Sequence, residues 1–187
     1  RVGVRLIVPG DAAWPERVDE LGIHAPAALW VRGSADALAA PGAAIALVGA
    51  RAATAYGVQV AGEIAGKLAV AGATIVSGAA VGIDAAAHRA CLAVDGSTIA
   101  VLAGGVDKAY PSGHAGLLTN VSRRGAVMSE VPCGTAPTKW RFLQRNRLIA
   151  ALSDATVVIE AGWRSGSLNT AGHAAATQAM AIALRCG

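Results

Sequence analysis

At 187 residues, with 54% hydrophobic and 15% charged side chains, the chain has enough apolar sequence for one sizeable core, and its length fits one domain with a small appendage. Its apolar runs are broken by Gly, Asp or Arg before the roughly 18 residues needed to cross a bilayer, and no charged start leads into an apolar signal segment, which predicts a soluble, cytoplasmic protein with no membrane partner. The net charge is a modest +4, and the odd set Cys91, Cys133 and Cys186, without CxxC spacing, supports neither a disulfide framework nor a zinc site.

Residues 1–42 differ in character from the rest. They hold Trp14-Pro15, a short amphipathic piece around Val18 to Leu21 and the strand-like Ala28 to Arg32, and read as a lead-in subdomain or an extra edge strand. Trp14 and Trp30 are expected to pack the core edge. Pro41-Gly42 then punctuates the chain before residues 43–187. The chain opens at Arg1 rather than Met and stops just after an apolar run, so it reads as a fragment of a longer protein.

The central stretch is Ala43 to Gly57, where the apolar run Ile45-Ala46-Leu47-Val48 predicts a parallel strand covered on both faces. Gly49 ends it with a turn in which backbone N–H groups can converge on an anion, and Arg51 follows two residues later. A guanidinium beside such a nest suits a phosphate, whereas a plain tight turn with a solvated charge is the simpler alternative. Helix-compatible sequence from Tyr56 to Ala71 places this turn at the sheet's carboxyl edge. We read Gly49-Ala50-Arg51 as the chain's phosphate site. Two better-known nucleotide motifs are missing. Gly57 and Gly62 have Walker spacing, but Glu63 and Ile64 stand where Lys and Ser/Thr are needed, and there is neither a GxGxxG fingerprint nor an acid ending the second strand. No cofactor is expected.

Strand candidates then alternate with helix-length segments: Thr74 to Val76, Thr98 to Leu102, Ala126 to Met128, Thr156 to Ile159 and a last apolar run, Ala179 to Leu184. This βαβ rhythm predicts an α/β fold, a three-layer Rossmann-like arrangement with a mainly parallel sheet of about six or more strands. The second turn, Ser77 to Gly82, leads into a helix carrying Asp84 and His88 one turn apart. They could form an acid–base couple, but no nucleophile stands beside them, so the favoured reading is a helix-terminal charge with His88 as its local partner. After the third strand, Asp107 and Tyr110 are placed at the rim. From Val121 to Arg147, six bases (Arg123, Arg124, Lys139, Arg141, Arg145 and Arg147) stand against the single acid Glu130, a pattern that marks either a polyanion partner or a solvated basic face. Trp140 and Phe142 interleave with these cations. That arrangement suits a single strand, whose phosphates pair with the charges while unstacked bases lie on the rings; the alternative is that the rings pack inward under Lys and Arg stems. Near the end, Gly162 to Ser167 opens a helix and offers a second anion site, with no acid from Ala161 to Gly187.

Taken in order, LVGAR with Tyr56-Gly57, SGAAVGIDAAAH, TIAVLAGGVD with YP, SEVP, QRNRLIAALSDATVVIEA and SGSLNTA make the chain resemble the DNA processing protein A family, DprA or Smf, over nearly its whole length. The resemblance implies an extended Rossmann-like domain that binds single-stranded DNA and helps load the RecA recombinase during natural transformation, as a homodimer and without catalysis. Matched by position, Arg51 in its Gly49-Ala50-Arg51 turn takes the phosphate contact, Lys139 and Phe142 the basic and stacking positions, and Arg145, Asn146 and Arg147 the RNR motif. Gly166 and Ser167 complete the expected DNA-binding set, with no catalytic residue and no metal. Val81 stands where many members carry a base and Leu143 where a proline is usual. The main rival is a nucleotide phosphoribohydrolase of the lysine-decarboxylase-like type, but the helix start Gly166 to Gln178 lacks that family's glutamate; Glu160 could equally anchor neighbouring turns by accepting backbone hydrogen bonds. A non-catalytic nucleotide sensor is the third reading.

Overall fold

A computed structural model of the chain describes residues 3–162, 166–176 and 180–184. Its strands are β1 (Val4–Ile7), β2 (Leu29–Gly33), β3 (Ala44–Gly49), β4 (Thr74–Ser77), β5 (Thr98–Val101), β6 (Ala126–Ser129), β7 (Ala155–Ile159) and β8 (Met180–Leu184). The helices are α1 (Ala55–Val70), α2 (Ile83–Ala93), α3 (Ala115–Arg124), α4 (Lys139–Ala151) and α5 (Gly166–Ala176). All eight strands join one sheet in the order β1-β2-β6-β5-β4-β3-β7-β8. The six strands from β6 to β8 run parallel, as the alternating pattern predicts, and β2 pairs antiparallel with both β6 and β1. Residues 3–33 thus supply two antiparallel strands at one edge. β1 escaped the sequence reading because only Ile7 of its four residues is buried, so it carries no readable apolar pattern. Ala179, expected to open the last strand, lies outside the described residues.

The central strands are buried on both faces because helices cover both. Alternation along β3 sends Ala46 and Val48 to one side and Ile45 and Leu47 to the other. Ala46 and Val48 share a cluster with Leu148, Ile149 and Leu152 around α4 and with Trp14 and Val18 from the lead-in. Leu47 meets Ala61 and Ala65 of α1 and Ala87 of α2 on the opposite face, while Leu118 and Val121 of α3 pack with Val127 of β6. Alanines at these positions let α1 and α2 lie close to the sheet and to one another. Side-chain hydroxyls fix two helix starts, Thr54 accepting from the Gly57 N–H at 3.0 Å and Thr138 from the Arg141 N–H at 3.3 Å.

Two buried polar devices set the relative positions of these layers. Arg147, on α4, makes a bidentate pair with Glu130, at 2.8 and 2.6 Å, and its Nε donates to the His24 carbonyl at 2.9 Å. One side chain therefore ties α4 to the end of β6 and to the lead-in. His88, on α2, does not pair with Asp84; its Nδ1 lies 2.7 Å from Thr98 Oγ1, whose hydroxyl donates to the Ile75 carbonyl at 2.8 Å. Thr98 has no second proton to give, so Nδ1 carries the imidazole hydrogen, and Nε2 has no partner. Burial, with His114 and Arg145 adding like charge, pushes the His88 pKa down to about 3.

Removing the guanidinium in Arg147→Ala leaves a mostly buried carboxylate unpaired. Urea unfolding should show a loss of about 3 kcal/mol, the low end for a broken buried pair because both partners keep some solvent contact; an unchanged midpoint would show that the clamp contributes nothing. For His88, the unfolded chain takes up a proton below its ordinary pKa of about 6.5 while the folded chain does not. Its contribution to stability is therefore complete above pH 6.5 and declines by roughly 1.4 kcal/mol per pH unit as pH falls toward 3. The pH slope of stability over that window should be smaller by this amount in His88→Gln, and equal slopes would mean that His88 titrates as if exposed.

Candidate functional site

The strand order reverses at β3, which has β4 on one side and β7 on the other. Loops leaving the carboxyl ends of such strands diverge, and the opening between them is where open α/β sheets bind ligands. Here it is an open cleft of about 770 Å³. Gly49, Ala50 and Arg51 enter it from the turn after β3, and Lys139, Phe142, Arg145 and Asn146 from α4. Gly166 and Ser167 enter from the first turn of α5. The sequence-predicted residues are thus brought together from three distant segments, with the exception of Arg147, which is held by Glu130 and His24. Trp163, Arg164 and Ser165, part of the second expected anion site, lie outside the described residues.

The N–H groups of the turn after β4, beside the expected phosphate turn, are answered from within. Asp84, near the start of α2 and 6% exposed, accepts from the Gly78 and Ala80 N–H groups at 3.2 and 3.3 Å, and the Gly49 N–H also stabilises its charged form. Burial raises its pKa, opposed by Arg145 and by these N–H groups. Arg145 is buried beside it and donates from Nη1 to the Gly78 carbonyl at 2.9 Å and to the Val101 carbonyl. Burial and the nearby Arg51 lower the Arg145 pKa to about 10, with Asp84 acting in the other direction, so the guanidinium stays charged at neutral pH. A Cβ at Gly78 would collide with that guanidinium, and one at Gly82, where φ is +82°, would strike the Ala50 and Arg51 carbonyls. The SGAAVG turn is therefore the seat on which the Arg51 turn rests, with the Ile83 N–H donating to the Ala50 carbonyl at 3.2 Å.

The exposed part of the cleft is cationic and aromatic. The Arg51 guanidinium carbon stands 4.9 Å over the Phe142 ring, and Tyr110, from the loop after β5, meets the same ring at 5.6 Å and 51°. Lys139 is exposed in the first turn of α4, where the helix dipole disfavours a cation, and neither α4 nor α5 has an acid in its first turn. An anion from outside relieves this arrangement. Trp140 is 78% exposed and does not line the cleft, so only Phe142 of the two interleaved rings faces it. The Arg141 guanidinium turns back onto the Ala136 carbonyl at 2.7 Å. Asn146 donates to the Gly166 carbonyl at 3.0 Å and to Asn169 Oδ1 at 3.3 Å, which fixes the start of α5 against α4.

Glu160 lies outside the cleft lining, and its Oε2 accepts from the Thr54 N–H at 2.9 Å, anchoring the turn before α1. Asp84 is then the one carboxylate at the cleft among the described residues. No three His, Cys, Asp or Glu among the described residues are grouped to hold a metal ion, and no described helix is long and apolar enough to cross a membrane. The sequence alone puts Tyr110 at the rim and makes Asp84 a helix-end charge, whereas the structure puts Tyr110 against Phe142 and Asp84 under the turn after β4. What pointed to Asp84 is its position two residues after Gly82, where a short acid can reach back to the N–H groups of the preceding turn.

The fold is shared with known proteins. A putative DNA processing protein DprA from Mycobacterium tuberculosis is 48% identical over 94% of this chain and 48% of its own length, so the chain spans about half of that relative. The solved DNA processing protein A from Helicobacter pylori, described as having a unique single-stranded DNA binding mode, matches all of this chain and 83% of its own with a TM-score of 0.90 at 30% identity. DprA from Streptococcus pneumoniae matches 98% of this chain and 63% of its own with a TM-score of 0.89 at 34% identity. The profile of the family described as DNA recombination-mediator protein A matches residues 5–185. By sequence and by fold, the chain belongs to the DNA recombination-mediator protein A family.

Proposed function

We propose that the cleft binds single-stranded DNA, with phosphates on Arg51 and Lys139 and bases against the rings beside them. The observation that carries this reading is the Arg51–Phe142–Tyr110 cluster next to Lys139, because cations interleaved with exposed rings serve a strand whose bases are unstacked, whereas a duplex offers no free base face. Arg145 adds positive potential from the cleft floor without leaving its carbonyl partners. Gly49, Ala50, Gly166 and Ser167 shape the path of the backbone, and Asn146 holds its far wall. Arg147 is not included in this set. Residues 43–187 form the DNA-binding domain in this reading, with residues 1–42 as its lead-in.

The family description and the single-stranded DNA binding mode of the H. pylori protein support a recombination mediator; in this proposal it protects incoming DNA and helps load RecA during natural transformation, acting as a cytoplasmic homodimer. The reading excludes catalysis. Asp84 accepts from the Gly78 and Ala80 N–H groups and Glu160 from the Thr54 N–H outside the cleft, which supports structural roles for both carboxylates. This speaks against the phosphoribohydrolase reading; a nucleotide sensor would use the same anion sites without hydrolysis, and competition by AMP separates it from a single-strand binder.

Fluorescence anisotropy with labelled dT oligomers tests the reading directly. Arg51→Ala should weaken binding to all sequences and reduce the slope of log affinity against log salt by roughly 0.7, the value for one single-strand phosphate contact; an unchanged slope removes Arg51 from the groove. AMP in excess should neither displace the oligomer nor be cleaved. Release of ribose 5-phosphate that disappears in Glu160→Gln would replace the DNA-binding reading with the hydrolase.

A further inference from the structure

Phe142 offers less open ring than its position promises. One face is covered by the Arg51 guanidinium, and the ring as a whole is half-buried. Tyr110 is 52% exposed, lines the same cleft and meets Phe142 at a tilt of 51°, so the two rings are not stacked face to face and about half of Tyr110 stays open to solvent. The loop that carries it is tied on both sides. The Gly105 N–H donates to the Thr135 carbonyl at 2.9 Å, the Gly134 N–H to Asp107 Oδ1 at 2.8 Å, and the His114 N–H to the Pro111 carbonyl at 3.0 Å. A tyrosine with two rotatable side-chain bonds on such a loop presents its ring with little entropy left to lose on binding.

Resting on the single-strand reading of the cleft, we infer that Tyr110 is a base-stacking residue of this site and that Phe142 acts chiefly as its positioning residue. The nucleobase lies on the exposed face of Tyr110, while Phe142 fills the space between Tyr110 and Arg51 and sets the distance between base and phosphate contacts. Because every base has a π-face, this contact takes purines and pyrimidines alike. It differs from a phosphate contact in being blind to salt.

The test compares dT oligomers with abasic oligomers of equal length, which keep the phosphates and lack the bases, on the full chain. Tyr110→Ala should weaken dT binding by roughly 5- to 150-fold, the range for loss of one stacked base. It should leave abasic binding within about twofold and the salt slope unchanged, since no phosphate partner is lost. Tyr110→Phe should bind dT as the parent does, and thermal melting of both variants should match the parent because the residue is exposed. The inference is overturned if Tyr110→Ala binds dT normally, if it loses dT and abasic binding equally, or if Tyr110→Phe is as weak as Tyr110→Ala. A parent chain that binds neither oligomer overturns the single-strand reading itself, and the Tyr110 assignment with it.

Discussion

A buried carboxylate organises this molecule. Asp84 gathers N–H groups of the turn after β4 and draws on the Gly49 N–H at the end of β3, while the nearby guanidinium of Arg145 holds the Gly78 carbonyl of the same turn, so opposite charges brace one loop from two sides. Isolated, either charge would be costly in a dry interior; together, with N–H donors on one and carbonyl acceptors on the other, they can be held there. The cleft is therefore set before any ligand arrives. Arg145 extends the lock to β5 through the Val101 carbonyl, and Asn146, the next residue, extends it to α5 through Gly166. An anion placed in this cleft meets dipoles and charges that need little rearrangement, which is how a fixed site favours a charged ligand over bulk water.

The same constraint sorts the basic residues. Six bases crowd the segment from Val121 to Arg147, yet they do different work according to how much water each retains. Arg147 is neutralised by Glu130, Arg124 by Asp95, and Arg145 is held by the Gly78 and Val101 carbonyls with the charge of Asp84 nearby. Lys139 keeps its solvent and lies at a helix start with no compensating acid, and Arg51, from a distant turn, joins it. The field in the cleft thus comes from few side chains, reinforced by the N-terminal ends of α4 and α5. Arginine suits the buried positions because its planar fork can satisfy several oxygens at once, while lysine suits the rim.

The sheet supplies the rigidity that these loops need. Small residues on α1 and α2 let both helices lie close to β3 and β4, and glycines at 49 and 82 let the turns touch where any Cβ would collide. The two antiparallel strands at the far edge and the Arg147 clamp bind the lead-in to α4, so the helix carrying Lys139 and Phe142 is fixed from behind as well as from the cleft side.

By itself the sequence determined the layers, because a parallel strand buried on both faces must be a short apolar run, and six such runs separated by helix-length segments admit few arrangements. It also determined which turns meet at the carboxyl edge, since Gly49, Arg51 and the α4 residues are marked by composition and order. The two antiparallel strands were only partly visible, because an edge strand with one buried residue leaves no periodic trace. What the sequence could not assign was the partner of each charge. Arg145 and Arg147 are two residues apart on one helix and chemically identical, yet one faces the cleft and Asp84 while the other faces Glu130 and His24. Likewise His88 lies one turn from Asp84 in sequence but bonds Thr98 of β5. Such choices depend on which oxygens and nitrogens the fold brings within about 3 Å, a distance fixed only when helices and strands from separate parts of the chain have packed.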